Sequence, residues 1–325
     1  MTDHIEGTSA RRTGTAPARS RPRISRDFGM SRGFAAALVA VALATLLSGC
    51  FATSVNPPAG AAPLRYRDPV FSSYALTSDL PYGSAPDLNN NPVTLGLDLY
   101  QPTGDSVTQR PALVFVHGGG FSGGDKTFVP SSELAPYFAK RGYVVVSINY
   151  RLLAPGGCSG GGGVTTQCYS AAISAIHDAQ AAVRWLRANA STYGVDTNRI
   201  GIGGDSAGAI TATGVAVLAG QPGTSGNPGP PSNVQAFMSL SGGTPGGLLV
   251  DKFSAPGILF SGTADGIVPY QWSFDTANAL ENAGVNAVLE TFQGAGHVPW
   301  QFSSTIESQT SNFFYKYLDL AHAAH

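Results

Sequence analysis

The sequence predicts an α/β fold in which a largely parallel sheet is covered by helices on both faces. Short segments rich in β-branched residues alternate along the chain with longer segments in which apolar residues recur at helical spacing. Two of the short segments, 112–116 and 143–148, are almost entirely apolar, which is typical of strands that are covered on both faces. Strands that alternate with helices in this order favour parallel pairing.

The remaining elements follow from the same two patterns. Segment 93–100 alternates apolar and polar residues as a half-buried strand does, and segment 170–188 places its larger aliphatic side chains on one helical face. The predicted strands span residues 93–100, 112–116, 143–148, 199–203, 234–240, 258–261 and 287–292. The predicted helices span residues 131–140, 170–188, 207–219, 272–283 and 303–318. Only the connecting segments remain to cover a binding site, so the sequence predicts a small lid or none. These segments are 65–92, 152–170, 221–232 and 242–256.

Composition indicates a packed protein and excludes a nucleic-acid partner for its folded part. Hydrophobic residues make up 43% of the 325 residues, and Gly (41) and Pro (22) together stay below the roughly 25–30% share of low-complexity chains. Residues 1–49 contain seven Arg and three acidic residues, whereas the rest of the chain contains 12 basic and 17 acidic residues. Phosphate binding requires concentrated positive charge, which this acidic remainder lacks.

The first fifty residues are predicted to direct export. Segment 34–47 is an uncharged and almost entirely apolar run, too short to span a membrane comfortably but typical of a secretory signal. The following residues 47–50 (LSGC) resemble a bacterial lipobox, in which the cysteine is acylated. We therefore predict a lipoprotein signal over residues 1–49 and a lipidated Cys50 that attaches the protein to the outer side of a bacterial membrane. An ordinary signal peptide is the alternative, and Met30 is a possible true start.

Downstream of the signal, residues 50–64 are predicted to form a flexible tether and residues 65–325 a single domain. Cys158 and Cys168 flank a glycine-rich loop within that domain. Because the protein is expected to be exported and these two cysteines lie close in sequence, we predict a disulfide between them. Metal binding by the pair is the alternative, but no His lies nearby, and the sequence implies no metal and no cofactor.

A serine motif lies where the predicted strand 199–203 meets the next helix. Residues 204–208 (GDSAG) fit the pattern G-x-S-x-G, and a turn in this position raises the Ser206 hydroxyl above the sheet. Glycines on both sides of Ser206 allow a close backbone approach that a Cβ atom would block. A dinucleotide-binding interpretation fails, because Ser206 stands where the third glycine of that pattern is needed.

A second glycine motif, residues 117–120 (HGGG), follows the strand 112–116. Its backbone N–H groups can face a developing oxyanion, because the glycines carry no side chains. With these two motifs in this order, the chain resembles α/β-hydrolase carboxylesterases, namely the hormone-sensitive-lipase-like and related serine esterases that carry HGGG and GDSAG. Segments 97–100 (LDLY) and 149–152 (NYRL) match as well. The resemblance covers roughly residues 90–318 and implies the α/β-hydrolase fold.

The resemblance implies a triad in the chain order serine, acid, histidine. Ser206 is then the nucleophile, and Asp265 and His297 follow the last two predicted strands. Asp265 would orient the His297 imidazole, which would take the Ser206 proton and return it to the leaving alcohol. The oxyanion donors are expected to be the backbone N–H groups of Gly118, Gly119 and Ala207.

The other acids and histidines are weaker candidates. Asp251 precedes the wrong strand, Asp275 falls on a helix, and Asp205 would point elsewhere from a tight turn. His177 sits within a predicted helix and is expected to be structural. His117 is expected to organise the glycine turn rather than to transfer protons.

The resemblance implies a serine carboxylesterase that hydrolyses small-molecule or lipid esters through an acyl-enzyme and without a cofactor. A cell-envelope acyltransferase would use the same triad. A prolyl-oligopeptidase-type peptidase shares the triad order, but the chain before His117 is too short for the large domain of those enzymes. A non-catalytic surface-binding protein would have no need of Ser206, Asp265 and His297 together.

Overall fold

One sheet of eight strands forms the centre of the protein, in a computed structural model that describes residues 51–158 and 165–325. In chain order the strands are β1 Tyr74–Pro86, β2 Pro92–Pro102, β3 Arg110–Val116, β4 Val144–Ile148, β5 Val195–Asp205, β6 Ala236–Leu240, β7 Gly257–Gly262 and β8 Ala287–Phe292. Across the sheet the order is β1-β2-β4-β3-β5-β6-β7-β8. Strand β2 is antiparallel to both β1 and β4, and all other neighbouring strands are parallel.

Helices cover both faces of the sheet, as the sequence predicts. They are α1 Ser131–Ala139, α2 Thr166–Ala188, α3 Ala190–Tyr193, α4 Ala207–Val217, α5 Tyr270–Asn282 and α6 Ser303–Tyr317. Side chains of α2, α4 and α5 form one buried cluster with the sheet, and those of α1 and α6 form another. Along β3, Val114 enters the first cluster and Phe115 the second, because successive side chains of a strand point to opposite faces. The predicted α/β class is therefore confirmed.

Strand β1 is not indicated by the sequence pattern. Its side chains are mostly exposed, so the apolar alternation that predicts a half-buried strand is missing. The strand exists because it pairs with β2 through a tight turn. At that turn the Asp87 carboxylate accepts hydrogen bonds from the backbone N–H groups of Asn89 and Asn91, both at 2.8 Å.

Residues 51–55 lie against the edge of the sheet, although the sequence predicts a flexible tether over residues 50–64. The Leu289 N–H donates to the Ala52 carbonyl at 3.0 Å, and Val55 is buried. The segment is held by backbone pairing and side-chain packing, which composition does not reveal. The predicted signal over residues 1–49 and the predicted lipidation site Cys50 lie outside the described residues. Among the described residues, no helix has both the length and the apolar character needed to cross a membrane.

Two crosslinks fix the chain where it leaves β4. The predicted disulfide between Cys158 and Cys168 is confirmed, and it joins this loop to the first turn of α2. The buried Arg151 guanidinium donates to the buried Asp178 carboxylate on α2 at 2.8–3.1 Å and to Ser225 Oγ at 3.1 Å. Because both charges are removed from water, each depends on the other for its stabilisation.

Candidate active site

Ser206 occupies a strained turn between β5 and α4. Its φ is +53° and its ψ is −121°, a backbone conformation that residues other than glycine rarely adopt. The turn is held by the Ser206 N–H, which donates to the Leu240 carbonyl at 2.9 Å. The hydroxyl therefore lies at the carboxyl end of the sheet, where ligands bind in open α/β folds.

The glycines beside Ser206 are required by a close backbone contact with the carboxyl end of β3. A Cβ atom on Gly208 would collide with the carbonyl group of Val116, and one on Gly204 would collide with the backbone of Gly208. The pairing register places Val116 opposite Gly204. The serine turn and the HGGG turn, which begins at His117, are consequently neighbours.

His297 and Asp265 complete a chain of hydrogen bonds that starts at Ser206. His297 Nε2 lies 2.8 Å from Ser206 Oγ, and His297 Nδ1 lies 2.8 Å from Asp265 Oδ2. These three side chains come from the loops after β5, β7 and β8, and these parallel strands all end at the carboxyl end of the sheet. The structure thus brings together the three residues that the sequence selects as a triad.

The Asp265 carboxylate is built to remain ionised. Burial raises the pKa of this carboxyl, but hydrogen bonds from His297 and from the N–H groups of Ile267 and Val268 outweigh burial and leave the pKa below its ordinary value. Both N–H groups donate to Oδ1 at 2.9 Å, which leaves Oδ2 to accept from the imidazole. A carboxylate held in this way fixes the orientation and the tautomer of a histidine.

The HGGG turn presents backbone N–H groups beside Ser206, but not all of those that the sequence selects are available. The Gly118 N–H donates to Asp205 Oδ1 at 3.2 Å, so it is already engaged. Within the described part of the chain, the N–H groups of Gly119 and Ala207 donate to no protein acceptor. Gly119 has φ +117°, and a Cβ atom there would collide with the Gly123 carbonyl. Gly119 and Ala207 therefore remain the candidate oxyanion donors.

The HGGG turn is stabilised by packing of its first residue, His117, against the ring of Tyr150. The two rings are stacked with centroids 4.5 Å apart, and the Tyr150 hydroxyl donates to the His117 carbonyl at 3.1 Å. Burial lowers the pKa of His117, which favours the neutral imidazole. This placement agrees with a structural role for His117. Tyr150 belongs to the NYRL segment, whose function the sequence alone does not indicate.

Asp205 is a second buried carboxyl at the site. Burial raises its pKa to about 7, against the opposing effect of hydrogen bonds from the N–H groups of Gly118 and of Asp205 itself. The side chain lines the cleft in front of Ser206 and contacts the HGGG turn rather than the imidazole. Sequence reasoning places Asp205 outside the triad, which the structure supports, but it misses this contact.

The cleft in front of Ser206 has a volume of about 350 Å³. Its remaining walls are apolar side chains of Phe128, Val129, Ile267 and Val298. Phe128 and Ile267 are about half exposed, at 56% and 52%, so this part of the cleft is accessible to solvent. Within the described residues, none of the four segments that could form a lid lines this cleft.

The weaker candidates lie elsewhere. Asp275 accepts from Gln271 on the surface of α5, and Asp251 accepts from the N–H of Phe253 in a loop. His177 on α2 contacts Thr224 at 3.0 Å. Across residues 51–158 and 165–325, no three His, Cys, Asp or Glu side chains are grouped as metal ligands would be.

Comparisons with known proteins show that part of this chain is similar to esterases and lipases. The family model described as BD-FAE matches residues 97–239, which include the HGGG turn and Ser206 but not Asp265 or His297. Lipase 1 of Geotrichum candidum is 30% identical over 136 residues, or 41% of this chain and 23% of the lipase. Phenmedipham hydrolase of Pseudarthrobacter oxydans is 36% identical over 133 residues, or 39% of this chain and 23% of the hydrolase. The chain spans less than a quarter of the length of these two relatives.

Solved structures with the same fold cover most of this chain. A truncated carbohydrate esterase from gut microbiota superposes with a TM-score of 0.59 at 20% identity, covering 81% of this chain and all of that one. The propionate-bound esterase 2 of Thermogutta terrifontis superposes with a TM-score of 0.58 at 23% identity, covering 81% and 99%. The chain therefore has the α/β-hydrolase fold, and its resemblance to esterases of that fold is confirmed.

The raised pKa of Asp205 predicts a pH-dependent stability. Between about pH 4 and pH 7 the folded protein keeps a proton that the unfolded chain has lost, so the stabilisation is complete below about pH 4 and disappears as the pH rises through 7. Asp205→Asn is neutral at every pH and can still accept from the Gly118 N–H. From pH 4 to pH 8 we expect the wild type to lose on the order of 2–4 kcal/mol of unfolding free energy relative to this variant.

Urea unfolding at several pH values measures this difference. Asp275→Asn is the matched control, because it removes a carboxylate at the protein surface and should leave the wild-type pH profile unchanged. Parallel profiles for the wild type and Asp205→Asn would contradict the prediction.

Proposed function

We propose that this protein is a serine hydrolase that cleaves carboxylic esters through an acyl-enzyme. The observation that carries the proposal is the hydrogen-bonded chain from Ser206 through His297 to Asp265 at the floor of an open cleft. The HGGG turn beside Ser206 supplies donors for an oxyanion. The names of the relatives support ester hydrolysis, since they include lipases and a fumonisin B1 esterase.

In the acylation step, Ser206 Oγ attacks the ester carbonyl carbon while His297 Nε2 takes the hydroxyl proton. The negative charge that develops on the carbonyl oxygen is stabilised by the N–H groups of Gly119 and Ala207. Asp265 stabilises the imidazolium that forms and keeps its proton on Nδ1. The intermediate then collapses, and His297 delivers the proton to the departing alcohol.

In the deacylation step, a water oxygen attacks the acyl carbonyl carbon while His297 Nε2 takes a proton from that water. The bond from the acyl carbon to Ser206 Oγ then breaks, His297 returns the proton to Oγ, and the carboxylic acid leaves. The open mouth of the cleft supports hydrolysis over transfer to another acceptor, because water can reach the acyl-enzyme without a change of conformation. The apolar side chains of Phe128, Val129, Ile267 and Val298 are placed to contact an apolar part of the ester. We therefore assign esters with an apolar acyl or alcohol group to this site.

We also propose that the mature protein is a lipoprotein attached through Cys50. The support is the apolar run followed by the lipobox-like residues 47–50 (LSGC) in the sequence. Mass spectrometry of the chain purified from membranes tests this proposal. An N-terminal peptide that begins at Cys50 and carries acyl chains is expected, and an unmodified cysteine would contradict it.

Replacement of the nucleophile tests the mechanism. Hydrolysis of p-nitrophenyl esters from acetate to palmitate is measured for residues 51–325 and for Ser206→Ala. We expect kcat/KM to fall by at least about 10⁴-fold in the variant, because both the nucleophile and its acyl-enzyme are lost. The chain-length optimum of the wild type measures the size of the apolar site. Undiminished hydrolysis by Ser206→Ala would refute the mechanism.

The oxyanion turn provides a second test with a control in the same loop. In Gly119→Ala the added Cβ meets the Gly123 carbonyl, so the turn must shift and the Gly119 N–H moves away from its position. We expect kcat to fall about 10²–10³-fold, as for the loss of one oxyanion donor. Gly123→Ala places its Cβ in open space and should keep near-wild-type kcat. Equal rates for the two variants would argue against Gly119 as a donor.

A further inference from the structure

Residues 51–55, which we call the N-terminal strap, begin directly after the cysteine that the sequence predicts as the lipidation site. The strap is paired with β8 rather than extended into solvent. Ala52 forms a parallel bridge with Val288, and the Leu289 N–H donates to the Ala52 carbonyl at 3.0 Å. The pairing covers part of what would otherwise be an open sheet edge.

Side chains hold the strap at both of its ends. At its start, the Phe51 ring packs edge-on against Phe274 of α5 with centroids 5.5 Å apart. At its end, the Val55 N–H donates to Gln309 Oε1 at 2.6 Å, and Asn312 Nδ2 donates to the Val55 carbonyl at 3.2 Å. Gln309 and Asn312 both belong to α6. The strap is therefore part of the folded domain.

The direction in which the strap pairs with β8 shows at which end of the sheet the strap begins. Because the bridge between Ala52 and Val288 is parallel, Phe51 lies toward the amino end of β8. His297 and the cleft lie beyond the carboxyl end of the same strand. The six residues of β8 span about 20 Å at about 3.3 Å per residue. The described chain thus begins, at Phe51, toward the end of the sheet opposite to the cleft.

The segment that joins β6 to β7 exposes several apolar side chains. It runs from the carboxyl end of the sheet to the amino end, and it carries the exposed side chains of Leu248, Leu249 and Phe253 at 63%, 58% and 71% exposure. The Lys252 ammonium lies 5.1 Å from the centroid of the Phe253 ring. Phe253 lies four residues before β7 begins, and exposed apolar side chains beside a cation suit the interface of a lipid bilayer.

We propose that the amino end of the sheet faces the bilayer to which Cys50 attaches the protein, so that the cleft opens away from that bilayer. The substrate is then an ester outside the anchoring membrane, free in solution or carried by another surface, and not a lipid of that membrane. This inference rests on the proposed ester hydrolysis and on the proposed acylation of Cys50. The proposed orientation depends on the strap. Because the strap is bound to the domain, the domain cannot rotate relative to the anchor as it could on a flexible tether.

The test separates the anchor from the strap in one variant and keeps them together in another. A 24-residue Gly/Ser insertion, with an r.m.s. span of about 25–30 Å, is placed between residues 50 and 51 or, as the matched control, between Gly60 and Ala61. Both proteins and the wild type are purified in lipidated form and inserted into phosphatidylcholine–phosphatidylglycerol vesicles. Two substrates carry the same coumarin butyrate ester, one soluble and one linked to a phospholipid headgroup in the same vesicle.

All three proteins should hydrolyse the soluble ester at equal rates and, in detergent, the headgroup-linked ester at equal rates. In vesicles, the wild type and the Gly60–Ala61 insertion should hydrolyse the linked ester slowly and within about twofold of each other. The insertion before Phe51 should hydrolyse it at least about tenfold faster, because the freed cleft can reach a high local concentration of ester.

Each contrary result has a separate meaning. Equal acceleration by the two insertions, or rapid hydrolysis of the linked ester by the wild type in vesicles, would overturn the assigned orientation. A mass spectrum that shows Cys50 without acyl chains would overturn it as well. Failure of all three proteins to hydrolyse the soluble ester would instead reject the proposed function.

Discussion

The close backbone contact between the serine turn and the carboxyl end of β3 determines the arrangement of the whole site. The contact requires Gly204 and Gly208, because a Cβ atom at either position would collide with neighbouring backbone. It brings Ser206 beside the HGGG turn, so that the proposed nucleophile and the proposed oxyanion donors lie at the same end of the sheet. Asp265 and His297 lie at the same carboxyl end of the sheet, because β7 and β8 run parallel to β5.

Much of this arrangement is predictable from the sequence, because it depends on local patterns. Buried strands form short, almost continuously apolar runs, and half-buried strands alternate apolar and polar residues. The seven strands predicted from these two patterns coincide with strands β2–β8. The residues Ser206, Asp265 and His297 are identified by the motifs and by their chain order, since each must follow a strand. The disulfide follows from the short separation of its two cysteines and from the expected export.

The remaining features depend on contacts between residues far apart in sequence. Strand β1 is mostly exposed and exists through its pairing with β2, so no periodic signal marks it. The hydrogen bond from the Gly118 N–H to Asp205 joins residues that are 87 positions apart in the sequence. The strap is composed like a tether and is ordered by β8 and α6, which lie more than 200 residues later. Phe128 and Ile267, which line the cleft, lie in loops. Apolar residues in loops follow no helical or strand periodicity that would identify them in the sequence.

The central claim is that Ser206 is a nucleophile activated by its place in this site, and covalent labelling tests it most directly. The folded protein is treated with a fluorophosphonate, digested and mapped by mass spectrometry. We expect one adduct, on the peptide that contains Ser206. It should be absent from the urea-unfolded protein and strongly reduced in His297→Ala. Labelling of other serines to the same extent, or equal labelling of Ser206 in the unfolded chain, would show that the folded site does not activate Ser206.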